Sequence, residues 1–499
     1  MWEVGGRRDR VGAVAYTAPM QTIPDLEGLT REQLVALVRE LRAAVSALER
    51  EVAALRHGGP GGGVGPPKTP ENSSMPPSQG WKRNRPAREP GSARLQRGPR
   101  HGHRGTSRVR ATPEQVEVVL PCRPARCAGC GAALAAAPGR VVGRRQVVEL
   151  PPPRPVVVEA ERIAVRCPAC GRRAVGRYPA GMAGARGFGP RLAATAAWLH
   201  EEHHVAYARM VEVFDRLFGL RISEGALVAA VARLGAAARP LAQAIGEQVR
   251  ASPVVGSDET GARVDGETWW EWVFQTPTAA YHTIVRRRNT EVVLAFLDGH
   301  RPRVWISDLW KPQLAAPAAR YQVCLAHQLR DLEYARQGGH GLAREWARAT
   351  DAVLRWAVRL WRQRADAALA PDAVAAQVAA IGRATDRLLA QELPAGWSRD
   401  LQARFRAHRS GLLTCLDDPA VPPTNNASER SLRPGVVHRK VTGGFRSEAA
   451  AQGYAAIRTV ADTARKRGQD AFAALLDAAG SLVPLTVAYA CAPTTRLPP

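Results

Sequence analysis

Apolar residues recur every seven positions near the start of the chain, which is the period of a coiled coil. Within residues 26–56, Val38, Val45 and Val52 form one series, and leucines form a second series between them. A β-branched residue at one heptad position with leucine at the other favours a parallel two-stranded coiled coil. We therefore predict a coiled-coil helix that dimerises the chain. A single amphipathic helix docked on its own domain is the alternative.

Residues 57–112 lack any apolar period. Gly58 to Gly65 is rich in glycine and proline, and the stretch from Lys82 to Arg110 contains ten lysines and arginines against one acidic residue, Glu89. Such a segment cannot bury enough apolar surface to offset the entropy that folding would cost. The composition predicts a disordered basic linker, which we interpret as an arm for DNA phosphates rather than a simple spacer.

Helical spacing of apolar residues dominates residues 188–248. It predicts helices at Leu192–Leu199, Val205–Phe218 and Glu224–Leu234, and Ser223 is placed to cap the third of them. Two helices joined by a short turn that contains glycine resemble the helix-turn-helix of DNA-binding proteins. We interpret this segment as a helical DNA-binding region, while any other helical hairpin would show the same pattern.

Alternation and short β-branched runs predict a sheet in residues 252–340. The predicted elements are strands at Pro253–Thr260, Thr268–Phe274 and Tyr281–Val285, a helix at Glu291–Leu297, strands at Arg303–Asp308 and Tyr321–Cys324, and a helix at His327–Arg336. Two of these strands end in aspartates, Asp258 and Asp308. Carboxylates that converge at strand ends commonly bind two magnesium ions. Aspartate is also frequent in turns, so these two residues alone are weak evidence of a site.

Charge narrows the class of protein. Lysine and arginine number 70 against 45 aspartates and glutamates, so the 499-residue chain carries a formal net charge of +25. A surface this positive attracts polyanions and gains by releasing their counterions, which favours nucleic-acid binding. No apolar run is long enough to span a membrane, and the N-terminus lacks the apolar segment of a secretory signal. We therefore expect a soluble intracellular protein.

Cysteine spacing indicates a metal site in residues 114–180. The four cysteines concerned form two C-x-x-C pairs, each followed by glycine: Cys127 with Cys130, and Cys167 with Cys170. Four thiolates on two tight turns complete a tetrahedral site for structural zinc, and a redox dithiol is the weaker alternative. Between the pairs, Val141–Leu150 and Pro155–Val165 alternate and predict two strands. The segment is thus predicted to be a zinc-ribbon-like domain.

A short histidine-rich segment gives a formal match to a zinc-protease motif. His200-Glu201-Glu202-His203-His204 fits H-E-x-x-H, in which two histidines on one helical face bind zinc. No further motif of the metzincin kind follows it. We interpret the segment as a polar helix face, with a metalloprotease as the weak alternative. The sequence leaves the role of His200 and His204 open.

The last predicted helix, in residues 421–485, carries an acid in its first turn. Asn425-Asn426-Ala427-Ser428-Glu429-Arg430 opens this helix, and basic residues surround Glu429. An acidic residue among basic ones either forms a salt bridge or binds a metal ion beside side chains that contact DNA phosphates. The candidates for contacts with DNA phosphates are Arg430, Arg433, Arg439 and Lys440.

Together these motifs resemble the insertion-sequence-66 family of transposases, over about residues 26–480. The matching motifs are Ser257-Asp258-Glu259-Thr260-Gly261, Thr268-Trp269-Trp270-Glu271-Trp272-Val273, Ser307-Asp308, Cys324-Leu325-Ala326-His327 and Asn425-Asn426-Ala427-Ser428-Glu429-Arg430. The resemblance implies a multidomain α/β protein. Its catalytic domain would be ribonuclease H-like, in two parts at 252–340 and 421–485, with a helical insertion at 341–420.

The resemblance also implies an Asp-Asp-Glu triad. Carried over by position, the triad is Asp258, Asp308 and Glu429, and it would bind magnesium or manganese. Cys324 and His327 are similar to a C-x-x-H motif that several such families place after the second aspartate, so both are predicted to be neighbours of the active site.

The implied function is a DNA transposase that cleaves phosphodiester bonds at transposon ends and joins them to target DNA. Its partners would be double-stranded DNA, further copies of the chain in a homodimer or higher oligomer, and accessory proteins of the element. The implied location is bacterial, cytoplasmic and nucleoid-associated. A zinc-dependent DNA-binding regulator, or a catalytically decayed transposase, is the alternative. A nuclease without strand transfer would use the same triad.

Overall fold

The structure, a computed structural model, describes residue 68 and residues 109–150, 153–178, 182, 187–365 and 369–480. The predicted coiled coil at 26–56 lies outside the described residues, as does almost all of the predicted linker at 57–112. The chain divides into two compact units, Met1–Pro67 and Lys68–Pro499, and every described residue belongs to the second unit.

Each C-x-x-C pair lies on a tight turn closed by backbone hydrogen bonds. The N–H of Gly131 donates to the Cys127 carbonyl at 2.9 Å, and the N–H of Gly171 donates to the Cys167 carbonyl at 2.8 Å. Both glycines have a positive φ, 74° and 71°, which residues with a side chain rarely adopt. The predicted pair of equivalent turns is therefore confirmed.

The strands beside these turns are much shorter than predicted. β1 (Ala164–Arg166) and β2 (Arg173–Val175) pair antiparallel around the second turn. The predicted strand at Val141–Leu150 is wrong, and of the one predicted at Pro155–Val165 only the last two residues are in a strand. Val142, for example, is 88% exposed. Among the described residues, the alternating valines have no strand to pair with and no core to cover, and propensity alone does not make a strand.

Helices fill residues 190–250. They are α1 (Pro190–Ala197), a π-helical turn (Trp198–Glu202), α2 (Tyr207–Phe218) and α3 (Glu224–Arg250). Ser223 caps α3 as predicted, because its side chain accepts a hydrogen bond from the Ala226 N–H. The helix continues well beyond Leu234, the predicted end, because its apolar face continues through Ala238 and Ile245, which are buried.

A five-stranded mixed sheet follows. Its strands are β3 (Val254–Val264), β4 (Glu267–Gln275), β5 (Ala280–Val285), β6 (Val304–Ser307) and β7 (Arg320–Val323). The spatial order is β5-β4-β3-β6-β7, with β3, β4 and β5 antiparallel and with β6 and β7 parallel to β3. The crossover helix is α4 (Thr290–Leu297). The predicted series of three antiparallel strands, a helix and two further strands is confirmed.

Helices make up most of the remaining described residues. They are α5 (Leu325–Gly338), α6 (Gly341–Ala365), α7 (Pro371–Ala390), α8 (Trp397–Ala407), α9 (Arg409–Leu412), α10 (Thr414–Asp417), α11 (Asn426–Thr442), α12 (Glu448–Lys466) and α13 (Ala471–Ala479). Helices α6 to α10 occupy the segment predicted as a helical insertion. Helix α11 carries Glu429 in its first turn, as predicted.

Separate hydrophobic cores lie against the sheet and among the helices. One joins β6, β7 and α5 to the helices of the insertion. Another joins α1, α2 and α3 to α12 and α13. Here the backbones approach closely, since a Cβ on Gly235 would lie 2.7 Å from the Gly453 Cα. By length and hydropathy alone α3 is the one described helix that could cross a membrane, and its apolar side packs in this second core.

The prediction of a polar helix face is wrong for the first two residues of the segment from His200 to His204, whereas His203 is exposed. His200 and Glu201 are both buried, because α11 and α12 cover the π-helical turn that carries them. The H-E-x-x-H arrangement of proteases is not formed either. His204 has a φ of 58° and lies beyond the end of the turn, so it is not one helical turn above His200.

Candidate active site

The parallel register places Asp258 and Asp308 at the same level of two neighbouring strands. β3 pairs with β6 through Gly256 and Ile306. Two residues further along each strand direction come the two aspartates, one within β3 and the other directly after β6. The sheet therefore brings together two side chains that lie 50 positions apart in the sequence.

Asn425 fixes the start of α11 against this edge of the sheet. Its Nδ2 donates to the Ser257 carbonyl at 2.7 Å, its backbone N–H donates to Cys324 Sγ at 3.1 Å, and its Oδ1 accepts from Ser428 Oγ at 2.7 Å. Gly256 leaves the room for this contact, since a Cβ there would lie 3.2 Å from Asn425 Oδ1. One buried side chain thus ties β3, α11 and the end of β7 together.

Glu429 follows Asn425 by one helical turn. Its Oε1 lies 3.7 Å from His327 Nε2, and its Oε2 lies 3.8 Å from Arg330 Nη2. Both separations are longer than a hydrogen bond, and the buried Oε1 has no hydrogen-bond partner among the described residues. A buried carboxylate oxygen without a partner is costly unless a cation satisfies it.

Cys324 packs beneath Glu429. Its Sγ, a ring nitrogen of His327 and a carboxylate oxygen of Glu429 lie within 4.8 Å of one another. Burial raises the pKa of the Cys324 thiol to about 11, so the thiol stays protonated at neutral pH. A neutral thiol that already accepts a hydrogen bond from Asn425 is a poor ligand for a hard cation, which favours a packing role for this cysteine.

The acids near the strand ends repel one another. Burial, followed by the negative charges of Glu259, Asp308 and Glu429, raises the pKa of Asp258 well above its ordinary value. A divalent cation would reverse this effect, because a bound ion is the largest charge in such a site. Carboxylate oxygens are the donors that magnesium and manganese prefer. The side chains present therefore fit the metal ions that the resemblance implies.

The predicted phosphate contacts follow Glu429 along α11. Arg430, Arg433 and Lys440 are exposed, and Arg439 is half-buried. The three arginines form no ion pair with any described residue. The guanidinium of Arg439 lies over β3, since a Cβ on Gly261 would lie 2.9 Å from its Nη1. This places one of the four predicted contacts beside the strand that bears Asp258.

The sequence profile of the transposase IS66 family matches residues 186–453, more than half of the chain. The matched part contains the whole sheet, the helices of the insertion and α11. The chain belongs to the IS66 family of transposases. A comparison with curated proteins finds no match.

The four cysteines of this IS66-family transposase lie N-terminal to the matched residues. The backbone N–H of Cys130 lowers the pKa of Cys127, and that of Cys170 lowers the pKa of Cys167, so each turn favours a thiolate. The four sulfur atoms do not form a cluster: no group of three or more ligand atoms within 4.8 Å among the described residues includes them. Structural zinc here stays a prediction.

Sequence reasoning missed the partners of Glu259, the residue after the first predicted triad aspartate. Its carboxylate accepts hydrogen bonds from Gln313 Nε2 at 2.8 Å and from Arg288 Nη2 at 2.9 Å. The Arg288 guanidinium lies over the rings of Trp270 and Trp310, at 4.4 and 4.2 Å from their centroids. No local pattern marks Arg288, whereas the position of Glu259 beside Asp258 could have drawn attention to it.

Gly435 allows α11 of the transposase to rest on β4. A Cβ at this position would lie 1.9 Å from Glu271 Oε2, and the buried Glu271 is held in place by a hydrogen bond with His282. We therefore expect Gly435→Ala to push α11 away from the sheet and to lower the free energy of unfolding by about 1–3 kcal/mol, as overpacking commonly does. Urea unfolding followed by circular dichroism measures this loss.

Gly225→Ala is the matched control. Gly225 lies in the first turn of α3, and a Cβ there would meet nothing within 4 Å. Alanine in an open helical position is expected to leave the free energy of unfolding unchanged or to raise it by up to about 1 kcal/mol. If both variants lost the same free energy of unfolding, the contact with Glu271 would not be the reason that residue 435 requires glycine.

A buried histidine predicts a pH dependence of stability. His282 Nδ1 lies 3.1 Å from Glu271 Oε1, and its Nε2 lies 3.2 Å from Asp462 Oδ2. Burial acts to lower the pKa of His282, but the hydrogen bonds with the two carboxylates outweigh it, so the pKa is raised. A histidine whose pKa is higher in the folded than in the unfolded chain stabilises the fold fully at pH values below its unfolded-state pKa of about 6.5. This contribution is lost as the pH rises through the folded-state pKa.

The measurement compares the parent chain with His282→Gln in urea at a series of pH values. We expect the difference in free energy of unfolding between them to be largest below about pH 6.5 and to shrink as the pH rises. A difference that stays constant over this range would mean that the histidine does not titrate with the fold.

Proposed function

We propose that this transposase cleaves phosphodiester bonds at transposon ends and transfers the freed strands to target DNA. The catalytic site would be a ribonuclease H-like Asp-Asp-Glu triad of Asp258, Asp308 and Glu429. Membership of the IS66 family supports the general activity. The observation that carries the specific proposal is the buried Oε1 of Glu429, which has no hydrogen-bond partner among the described residues and lies near two aspartates at one level of the sheet.

The three carboxylates would hold magnesium or manganese, which lowers the pKa of an attacking water or DNA 3′-hydroxyl and stabilises the leaving oxygen. The protein's part is placement. The sheet fixes Asp258 and Asp308, and Asn425 fixes the turn of α11 that presents Glu429. His327 and Arg330 flank the Glu429 carboxylate at 3.7 and 3.8 Å. Rigid placement of this kind is what an in-line displacement requires.

DNA would lie along α11. Arg430, Arg433 and Lys440 are exposed on this helix, and Arg439 reaches β3, so phosphates beside the triad would meet positive charge. The N-terminal segments would recognise the transposon ends and pair two copies of the chain. Structural zinc held by the four cysteines would stabilise the end-binding domain. The binding partner for this activity would be double-stranded DNA, and the location would be bacterial and nucleoid-associated.

A cleavage and strand-transfer assay tests the proposal. The purified chain is mixed with DNA that carries the element's own ends and with a target plasmid, in magnesium, in manganese or in EDTA. Metal-dependent 3′-hydroxyl ends that become joined to the target would support a transposase with this chemistry. Cleavage without joining would favour a nuclease, and binding without cleavage would favour a zinc-dependent regulator or a catalytically decayed copy.

A further inference from the structure

A second group of potential metal ligands lies in the core between the π-helical turn and α11. His200 and Glu201 come from the turn, and His438 comes from the last part of α11. Each offers one ligand atom, and these three atoms lie within 4.8 Å of one another. The side chains are 6%, 4% and 2% exposed, so solvent does not satisfy them. None of the three belongs to the predicted triad or to the cysteine turns.

The hydrogen bonds within this group are incomplete. Glu201 Oε2 and His438 Nε2 are both buried without a hydrogen-bond partner among the described residues, although they lie 3.4 Å apart. Buried polar atoms of this kind call for an explanation, and an ion between them is a common one. His200 uses its Nδ1 for a 2.8 Å contact with the Val205 carbonyl, which leaves Nε2 for a ligand. Metal-binding histidines usually make such a bond with their other ring nitrogen.

The neighbouring charges leave a place for a cation. The guanidinium of Arg458 is buried, and Glu202 neutralises it in a buried ion pair. Among the described residues, Glu201 forms no ion pair with a lysine or arginine, so its carboxylate remains for a cation.

We propose that His200, Glu201 and His438 bind a divalent transition-metal ion, with zinc the best fit. Two imidazole nitrogens and one carboxylate oxygen are a ligand set that zinc commonly takes, whereas magnesium prefers oxygen alone. The fourth ligand is His204 or a water. His204 Nδ1 is buried without a partner, and its ring lies 6.2 Å from that of His438. Its φ of 58° is unusual for a residue with a side chain and is held by the surrounding structure.

The ion would join two parts of the fold that are far apart in sequence. His438 lies on the helix that carries Glu429, and His200 and Glu201 lie in the helical region that precedes the sheet. The site would therefore hold α11 in register with its neighbours. By holding α11, the ion would also help to position Glu429. The importance of that position rests on the proposed function, whereas the metal site itself does not. Its nitrogen and oxygen ligands also distinguish it from the predicted zinc site of four cysteines.

Metal content of the full chain tests the proposal. The protein is purified without chelators, and zinc, manganese, iron, cobalt and nickel are measured by mass spectrometry. We expect His438→Gln and Glu201→Gln each to lose about one equivalent of zinc. His203→Gln is the matched control, because His203 is exposed in the same segment, and it should keep all the zinc. Substitution of Cys127 and Cys167 should remove only the zinc that the four cysteines are predicted to bind. Equal metal content in the parent, both site variants and the control would overturn the proposal.

A measurement on the parent chain covers the case in which the variants fail to fold. Crystals grown with zinc are measured at the zinc absorption edge. An anomalous peak bounded by His200, Glu201 and His438 supports the site whether or not the protein cleaves DNA. Crystals in which these side chains are ordered and no peak lies between them would refute it.

Discussion

Asp308→Asn is expected to reduce metal-dependent DNA cleavage by about 10³-fold or more and to leave DNA binding intact. Asparagine keeps the size of the side chain and the oxygen that accepts from the Trp310 N–H, but it removes the charge that would hold a cation. A metal contributes several kcal/mol to such a transition state, and about 4 kcal/mol corresponds to 10³-fold. Asp258→Asn and Glu429→Gln should behave in the same way if the three act as one site.

Two substitutions of the same chemistry serve as controls. Asp298→Asn lies in an exposed turn at the end of α4, and Glu448→Gln lies in the exposed first turn of α12. Both should cleave DNA at the parent's rate. Binding is measured by fluorescence anisotropy at one fixed salt concentration, because protein–DNA affinity depends steeply on salt. Full cleavage by all three triad variants would mean that the active site lies elsewhere.

The position of the two aspartates on neighbouring strands could be predicted from sequence because the signal is local. Each follows a short buried run that contains β-branched residues, and parallel neighbouring strands bring such positions together. Glu429 could be assigned only through the resemblance, since more than a hundred residues, among them the helical insertion, separate it from Asp308. The contact that places it, from Asn425 to the Ser257 carbonyl, is tertiary and leaves no periodic trace.

The predictions that were wrong also concern tertiary contacts. The valines of residues 141–150 have the alternation of a strand, yet no strand in the described part of the chain pairs with them. The segment from His200 to His204 is polar in composition, yet α11 and α12, more than two hundred residues later, bury part of it. A local pattern shows which face of an element is apolar. It does not show which polar residues a distant helix will cover.

Arg458→Met is expected to lower the free energy of unfolding by about 3–5 kcal/mol, the usual cost of breaking a buried ion pair from one side. Arg458 is 1% exposed, pairs with the buried Glu202, and donates from Nη2 to the Ser431 carbonyl at 3.3 Å. Methionine fills similar space without the charge, so Glu202 would keep only the half-exposed Arg465 as a partner. Because Ser431 lies two residues after Glu429 on α11, cleavage should also become slower.

Two further variants separate this ion pair from general effects of removing an arginine. Arg348→Met breaks an exposed pair with Glu345 at 3.8 Å on one helix and should cost less than about 1 kcal/mol. Adding Glu202→Gln to Arg458→Met should recover part of the loss, because the charge left without its buried partner is then removed. Urea unfolding gives the free energy of unfolding of the parent chain, the two single variants and the double variant. A loss for Arg458→Met no larger than that for Arg348→Met would show that the buried pair does not hold α12 to α11 and the π-helical turn.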